Sequence, residues 1–218
     1  MQEFVRLWTR LGLVTLTQGT PDTIAWRWTE GGVYSARSAY DIQFAGSFYS
    51  ASVPAGAIWK GKAEGKCRFF MWLLERRRIL TADMLMARGW PCSAMCSLCG
   101  KAPETADHLA LGCPFSRMVW LSVARAHDMP SIKPPDLIAQ EEVTFASWWS
   151  AARRCVEKKE QAKLDGVVAY TAWFLWRERN SRVFENNYSS YSAVASLVWS
   201  ATMARALAFA RVVDDDLV

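Results

Sequence analysis

Apolar residues recur at intervals of three and four along much of the chain, which is the spacing of one helix face. Before residue 130, this pattern and the helix-boundary residues predict three helices: Lys66–Arg76, Thr81–Arg88 and Pro114–Ala126. After residue 142 the pattern predicts three more: Val143–Glu160, Gln161–Asn180 and Ser189–Val213. In the first of these six helices, the residues expected on the buried face are Phe69, Phe70, Leu73 and Leu74.

The N-terminal region shows a different pattern. Met1–Gly12 is amphipathic and is predicted to be a helix. Thr23–Thr29 alternates apolar and polar side chains, and after a turn at Glu30–Gly32 the chain is predicted to return as a second strand over Val33–Ser35. A small β-hairpin is therefore expected here, and Ser35 is a suitable N-cap for a helix that follows it.

The composition indicates a folded chain without a membrane span. Of 218 residues, 51% are hydrophobic and 12 are Trp, and so many large side chains need a packed interior. The apolar stretch Val167–Trp176 is much shorter than the ~20 residues that cross a bilayer. No segment resembles a secretory signal, so an intracellular location in the nucleus or cytoplasm is expected. Mitochondrial targeting through the amphipathic N-terminus is the alternative.

Four candidate metal ligands are spaced as Cys96-x2-Cys99-x8-His108-x4-Cys113. Two cysteines separated by two residues can direct both sulfur atoms to one ion, and Gly100 can supply the positive φ that such a turn often needs. A short helical turn would direct the imidazole to the same ion. Three thiolates and one imidazole fill a tetrahedral site, so one structural Zn²⁺ is expected.

Other cysteines and one aspartate have further predicted roles. Cys92 is an alternative to Cys96 as a ligand, although it is interpreted first as a small buried residue. Asp107 is expected to orient the neighbouring imidazole. Cys67 and Cys155 are interpreted as core residues.

A basic segment precedes the predicted zinc site. It carries eight cations against three acids, a balance of +5 that equals the formal net charge of the whole chain. Its cations are Lys60, Lys62, Lys66, Arg68, Arg76, Arg77, Arg78 and Arg88. They are predicted to bind the phosphates of a nucleic acid, and a solvated helix end is the alternative interpretation.

The motifs of the chain resemble a known family. Their order is Trp26-Arg27-Trp28, Gly32-Val33-Tyr34-Ser35, Ile58-Trp59-Lys60, Phe69-Phe70-Met71-Trp72-Leu73, Cys96-x2-Cys99, Asp107-His108-Leu109 and Cys113-Pro114-Phe115-Ser116. They closely resemble the zinc-binding region that lies C-terminal to reverse transcriptase in plant LINE-type (non-LTR) retrotransposons. The segment Trp173-x2-Trp176-Arg177-Glu178-Arg179-Asn180-x-Arg182 resembles the helical tail of the same polyproteins. Glu64-Gly65 departs from the family pattern, which usually has proline there.

The resemblance implies a plant source and a module that holds template RNA or target DNA while a separate polymerase domain works. It also implies the same four ligands, Cys96, Cys99, His108 and Cys113. The paired-aspartate motif of the polymerase is absent, and Asp214–Asp216 at the acidic C-terminus does not replace it. No catalytic residues and no enzymatic activity are therefore expected. The start at Met1 favours a free-standing derived gene over a fragment of an element.

The expected fold is mainly α, a helical zinc-binding module with a small N-terminal β-hairpin and a C-terminal helical bundle. The predicted divisions are 1–50 (N-terminal helix and hairpin), 51–128 (zinc-binding module), 129–142 (linker) and 143–218 (C-terminal helices). The predicted function is binding of RNA or single-stranded DNA. The alternative is a domesticated protein, regulatory or toxic to the host cell, that binds a protein partner through its C-terminal helices, where a small-residue face comprises Leu197, Ala201, Ala204 and Ala208.

Overall fold

The computed structural model describes residues 24–43, 55–134 and 143–215, together with isolated positions before residue 20. The chain divides into two compact units, Met1–Phe48 and Tyr49–Val218. Each unit is described by itself below. The predicted helix over Met1–Gly12 lies largely outside the described residues.

The first unit contains helix α1, Ala36–Gln43. The side chain of Ser35 caps this helix, because its Oγ accepts a hydrogen bond from the backbone N–H of Ser38 at 3.1 Å. The helix therefore begins where a capping residue satisfies one of its first free N–H groups.

The predicted β-hairpin is not found in the described residues 24–43, which contain no strand. The backbone N–H of Trp26 donates to the carbonyl of Gly32 at 2.8 Å and closes a turn. The hydroxyl of Thr29 donates to the carbonyl of Val33 at 2.9 Å, so a side chain occupies an acceptor that a strand ladder would use. The ring of Trp26 packs edge-on against Tyr34, with centroids 5.1 Å apart. Local side-chain contacts thus stabilise a turn here instead of two paired strands.

The second unit is helical in its described residues, which confirms the predicted mainly α fold. Its helices are α2 (Ala55–Lys60), α3 (Gly65–Glu75), α4 (Ala82–Met86), α5 (Pro114–Ala126), α6 (Phe145–Arg154), α7 (Gln161–Asn180) and α8 (Tyr191–Asp215). Two π-helical turns, His108–Gly112 and Ser181–Glu185, and a 3₁₀ turn at Pro130–Ile132 lie between them. None of the helices in the described part of the chain is both long and apolar enough to cross a membrane.

Helix α7 is the central element of the second unit. Every residue from Leu164 to Ala172 is buried, because α2, α3, α5, α6 and α8 all pack against this helix. Gly166 permits the closest of these approaches. A Cβ at that position would lie 2.8 Å from the carbonyl oxygen of Lys62, and the backbone N–H of Lys62 donates to the carbonyl of Ala162 at 3.0 Å.

Helix α3 buries a face that differs from the one its sequence predicted. The inward residues are Cys67, Phe70, Met71 and Leu74. Phe69 is 53% exposed, so its predicted place in the core is wrong. The spacing of the apolar residues alone is compatible with two overlapping buried faces on this helix. Packing against α7 selects the face that includes Cys67 and Met71.

The helices on both sides of the predicted linker share one hydrophobic core. Helix α5 packs against α8, and Trp120 of α5 lies edge-on to Trp148 of α6 with ring centroids 4.7 Å apart. Ile132 of the 3₁₀ turn is fully buried, and the indole N–H of Trp148 donates to the carbonyl of Lys133 at 3.1 Å. Residues 135–142 lie outside the described residues. The division into a zinc-binding module (51–128), a linker (129–142) and C-terminal helices (143–218) stays a prediction.

Candidate metal centre

The four predicted ligands lie together in the structure. The ligand atoms of Cys96, Cys99, His108 and Cys113 are all within 4.8 Å of one another. The Sγ atoms of Cys96 and Cys113 are 3.9 Å apart, and Sγ of Cys99 lies 3.4 Å from Nε2 of His108. A tetrahedral Zn²⁺ with Zn–S bonds of about 2.3 Å places its ligand atoms about 3.5–3.8 Å apart. The donor set and its spacing therefore fit one zinc ion.

A tight turn positions the first two cysteines. The backbone N–H of Gly100 donates to the carbonyl of Cys96 at 2.7 Å, and Gly100 has the predicted positive φ, 63°. The N–H of Cys96 donates to the carbonyl of Ala102 at 2.9 Å, and Met95 forms an isolated bridge with Pro103. Left-handed backbone at this position is accessible to glycine without steric cost. The turn thereby directs both thiols to the same side.

A π-helical turn positions the other two ligands. The N–H of Cys113 donates to the carbonyl of His108 at 2.7 Å, a hydrogen bond between residues five apart. The N–H of His108 donates to Oγ1 of Thr105 at 3.1 Å, which holds the start of the turn. Because a π turn is one residue wider than an α turn, the imidazole and the thiol of Cys113 reach the same point.

Two side chains of α5 satisfy the carbonyl groups of this π turn. The hydroxyl of Ser116 donates to the carbonyl of Leu109 at 2.6 Å, and the indole N–H of Trp120 donates to the carbonyl of Ala110 at 2.7 Å. Ser116 and Trp120 are both fully buried, so these bonds are shielded from water. The short motif after Cys113 therefore supports the ligand turn.

The thiol pair of the site is electrostatically asymmetric. The hydrogen bond to Cys113, with burial as the second cause, raises the pKa of Cys96 to about 12. The same bond from Cys96 lowers the pKa of Cys113, while burial opposes this shift. Backbone N–H groups of Ser116 and Phe115, at the start of α5, also favour the Cys113 thiolate. The hydrogen bond between the two thiols thus favours the thiolate at Cys113 over that at Cys96, and a bound dication would favour the thiolate form of both.

Arg182 supports the first cysteine turn from the far end of the chain. Its Nη1 donates to the carbonyl of Leu98 at 2.9 Å and, at 3.4 Å, to that of Ser97. Its Nε forms an ion pair with Glu178 at 2.7 Å, and its guanidinium lies 4.4 Å from the ring centroid of Phe115. In the sequence Arg182 belongs to the segment that resembles the family's helical tail, and its contact with the cysteine turn joins residues more than 80 positions apart.

Asp107 does not have its predicted role. Its Oδ1 accepts a hydrogen bond from the backbone N–H of Phe145 at 2.8 Å, and its Oδ2 forms an ion pair with Arg77 at 2.6 Å. The carboxylate therefore joins α6 and the basic segment to the π turn instead of orienting the imidazole.

The remaining cysteines lie outside the four-residue group. Cys67 is fully buried, and burial raises the pKa of its thiol to about 11. Cys92 and Cys155 are exposed, so the expectation that they are buried is wrong. Sγ of Cys92 faces the carbonyl of Ala82 at 3.7 Å. Within the described residues, the only group of three or more His, Cys, Asp or Glu side chains suited to hold a metal is the predicted one.

The structure distributes the basic segment over α2, α3 and the turns that follow. Lys60, Lys62, Lys66, Arg76, Arg78 and Arg88 are exposed. Several of the eight cations have partners within the chain: Lys66 pairs with Glu64 at 2.7 Å, Arg68 donates to the carbonyl of Trp59 at 2.7 Å, Arg76 pairs with Glu75 at 4.0 Å, and Arg77 pairs with Asp107. The ion pair between Arg77 and Asp107 places one end of the basic segment beside His108.

The structure defines the class of protein as a helical module that can hold one zinc ion. Its features are the helices, the closed set of four ligands and the adjacent basic segment. Residues 34–120 match the family model described as zinc-binding in reverse transcriptase, and this range includes all four ligands and the whole basic segment. The match confirms the predicted resemblance and the expectation of zinc as cofactor.

An Arabidopsis thaliana protein is similar to the chain, and its name describes it as a ribonuclease H protein. The two are 24% identical over 184 residues, which is 84% of this chain and 28% of the relative. The chain thus spans less than a third of the length of that relative. No solved structure matches the chain.

Proposed function

We propose that the chain is a zinc-stabilised module that binds RNA or single-stranded DNA and has no catalysis of its own. The observation that carries the proposal is the link between the zinc site and the basic segment, made by the ion pair of Arg77 with Asp107. The metal would cross-link two turns that have little regular structure of their own. Cys96, Cys99, His108 and Cys113 would hold it, with no position left for a reacting water.

The exposed lysines of α2, of α3 and of the turn between them would contact phosphates. Lys60, Lys62 and Lys66 are exposed on one short stretch of chain, and cations in such positions bind the backbone without reading its sequence. The name of the Arabidopsis relative raises ribonuclease activity as a contrasting function. The proposal assigns no such activity to this chain, which spans 28% of the relative.

The test measures the salt dependence of binding. Zinc-loaded protein is titrated into a labelled single-stranded oligonucleotide by fluorescence anisotropy at several salt concentrations. The variant Lys60→Gln/Lys62→Gln/Lys66→Gln should lower the affinity and reduce the slope of log K against log salt by about 2, because each lost phosphate contact removes about 0.7. The matched control is Lys158→Gln/Lys159→Gln/Lys163→Gln, which removes the same charge from other exposed lysines and should retain the slope.

Two further arms separate the parts of the proposal. Cys99→Ser should bind less than one equivalent of zinc and lose nucleic-acid affinity with it. Incubation of labelled RNA–DNA hybrid with the protein and Mg²⁺ should leave the RNA intact. The proposal would be contradicted if the two triple variants had equal slopes of log K against log salt. It would also be contradicted if an activity that cleaves the hybrid co-purified with the protein.

A protein partner is the second candidate. Helix α8 buries Val194, Val198 and Thr202 but leaves Leu197 and Leu207 50% and 64% exposed. Large apolar side chains at the surface are a feature of protein interfaces. The test for this function is a pull-down after nuclease treatment. Recovery of one stoichiometric protein partner would favour it if the variant Leu197→Ser/Leu207→Ser loses that partner and the zinc-loaded chain does not bind nucleic acid.

A further inference from the structure

The outward face of α3 carries aromatic rings. Phe69 is 53% exposed, and its ring is stacked on that of Trp72, with centroids 5.7 Å apart and an interplanar angle of 21°. The guanidinium of Arg76 lies 4.7 Å from the ring centroid of Trp72. The spacing 69, 72 and 76 places all three on one side of the helix, opposite the buried residues that pack on α7.

The neighbouring helix carries a further exposed ring. Trp59 of α2 is 48% exposed, and its carbonyl accepts a hydrogen bond from Nη1 of Arg68 at 2.7 Å. This bond ties the end of α2 to α3, since Arg68 belongs to the same helix as Phe69. We call Trp59, Phe69, Trp72 and Arg76 the aromatic platform.

The fold does not account for the exposure of Phe69 and Trp59, whereas Trp72 is half-buried against the core. The opposite face of α3 already supplies the core, and exposed apolar area is unfavourable by roughly 25 cal/mol per Å². A stacked ring pair beside a guanidinium is, however, the arrangement that binds the face of a planar ring.

The charge around the platform selects the occupant. Lys60 follows Trp59, Lys66 lies on α3, and Arg76 belongs to the platform itself. An anionic chain that also presents planar faces meets both requirements, and unpaired nucleotides have both phosphates and accessible bases. Bases in a duplex are already stacked on each other and cannot offer their faces.

We propose that the aromatic platform stacks unpaired bases of single-stranded nucleic acid. This inference rests on the proposed nucleic-acid binding and adds the chemical class of the ligand, a strand with exposed bases. The lysines position the backbone, and the rings of Phe69 and Trp59 contact the bases. Such binding tolerates any sequence, because every base has a π-face.

The test compares a single-stranded oligonucleotide with a strand of equal length and charge in which abasic sites replace the central nucleotides. Binding is measured by fluorescence anisotropy with zinc-loaded protein, with RNA and DNA versions of the strand in separate arms. The normal strand should bind at least about fivefold more tightly than the abasic strand, since stacking on one ring changes affinity by that factor or more.

Variants then assign the preference to the platform. Phe69→Leu and Trp59→Leu should lower the affinity for the normal strand about fivefold or more and leave that for the abasic strand unchanged. Phe69→Tyr keeps an aromatic ring and should retain the preference. Phe184→Leu is the matched control, because Phe184 is 75% exposed at a position outside the platform. Zinc content and far-UV circular dichroism should be the same for all these variants, since the substituted side chains are exposed.

The outcomes separate this inference from the proposed function. If no strand binds at low salt, both are overturned. If normal and abasic strands bind equally, or if Phe69→Leu and Phe184→Leu behave alike, the platform is overturned while binding through phosphates stands. Preference for a duplex over the normal strand would also overturn the platform.

Discussion

Glu104 and Arg179 are 75 residues apart in the sequence, and their side chains form a buried ion pair at 2.7 Å. Glu104 is 1% exposed and Arg179 is 4% exposed. Oε1 of Glu104 also accepts a hydrogen bond from the backbone N–H of Ala82 at 2.9 Å. One carboxylate thus joins the start of α4, the loop before the π turn and the end of α7. The loop before the π turn and the end of α7 are therefore joined directly in the second unit.

Removal of the Glu104 charge should destabilise the protein strongly. Glu104→Gln leaves the guanidinium of Arg179 buried without a counter-ion, and the expected loss in the free energy of unfolding is about 3–5 kcal/mol. Urea denaturation at saturating zinc measures this loss. Glu157→Gln is the control, because Glu157 pairs with Lys159 at 2.9 Å where both side chains are about three-quarters exposed. Similar values for the two variants would contradict the prediction.

Arg182 should affect zinc retention more than its distance in the sequence suggests. Arg182→Lys cannot bond two carbonyls and Glu178 with the same planar group, so the Cys96–Cys99 turn loses its support. Zinc affinity should fall by about tenfold or more, as for other groups that orient ligands. Competition with a chromophoric chelator measures the change. Arg177→Lys, an exposed position at the end of α7, should leave zinc affinity unaltered.

Gly166 should not accept a methyl group. In Gly166→Ala the new Cβ would lie 2.8 Å from the carbonyl oxygen of Lys62, and backbone cannot move aside as a flexible side chain can. The expected loss in the free energy of unfolding is about 1–3 kcal/mol. Gly65→Ala, at the first residue of α3, meets nothing within 4 Å and should be neutral or stabilising. Thermal unfolding of both variants gives the comparison, and equal melting temperatures would refute the close approach.

His127 should make stability depend on pH. Burial lowers the pKa of its imidazole below the usual 6.5, with Lys163 as the second cause. The imidazole therefore binds a proton more readily in the unfolded chain than in the folded one. The stability that the neutral, buried ring contributes is present above pH 6.5 and is lost as the pH falls below it. The ring packs on Trp199 at 4.9 Å, and Nε2 lies 3.3 Å from the hydroxyl of Thr202.

The measurement for His127 is a difference between two proteins. The free energy of unfolding of the wild type should fall more between pH 7.5 and 5.5 than that of His127→Gln. Loss of zinc in acid affects both proteins equally and cancels in the comparison. If the free energy of unfolding falls equally with pH in both proteins, His127 does not cause the pH dependence.

Thiol labelling should report the metal site directly. In the folded zinc-loaded protein, a maleimide should modify Cys92 and Cys155, which are exposed, and leave Cys67 unmodified. The thiolates bound to zinc should react only after a chelator removes the metal. Mass spectrometry counts the modified thiols. Modification of Cys67 in the zinc-loaded protein before Cys92 would contradict the described burial.

The zinc site was the part of the structure most accessible from sequence. Cys96 and Cys99 are brought together by one turn, and His108 and Cys113 by another, so their spacing carries most of the geometry. The helices α5 and α7 were also predicted with their observed bounds, because a proline at the first turn and a long apolar period are local signals. The π turn was not foreseen, since its extra width depends on Ser116 and Trp120 bonding to its carbonyls.

Other features depended on contacts between distant residues. Periodicity placed Phe69 in the core, but the position of α7 decided that Cys67 and Met71 face inward. The expected burial of Cys92 and Cys155 failed for the same reason, since a small apolar side chain is buried only if another element covers it. The expected hairpin failed because the hydroxyl of Thr29 bonds the carbonyl of Val33, a competition that alternation of side chains does not reveal.

The sequence by itself thus predicted the candidate metal ligands, the helical class and the resemblance to a zinc-binding region, because each depends on local spacing. Only the tertiary structure decided that Arg179 and Arg182 bind the loops of the zinc site, and that Phe69, Trp72 and Arg76 form a surface. Burial and pairing are properties of what packs against a residue. Here the burial and the pairing of a residue depend on segments more than 70 residues apart, so no local sequence pattern could have specified either property.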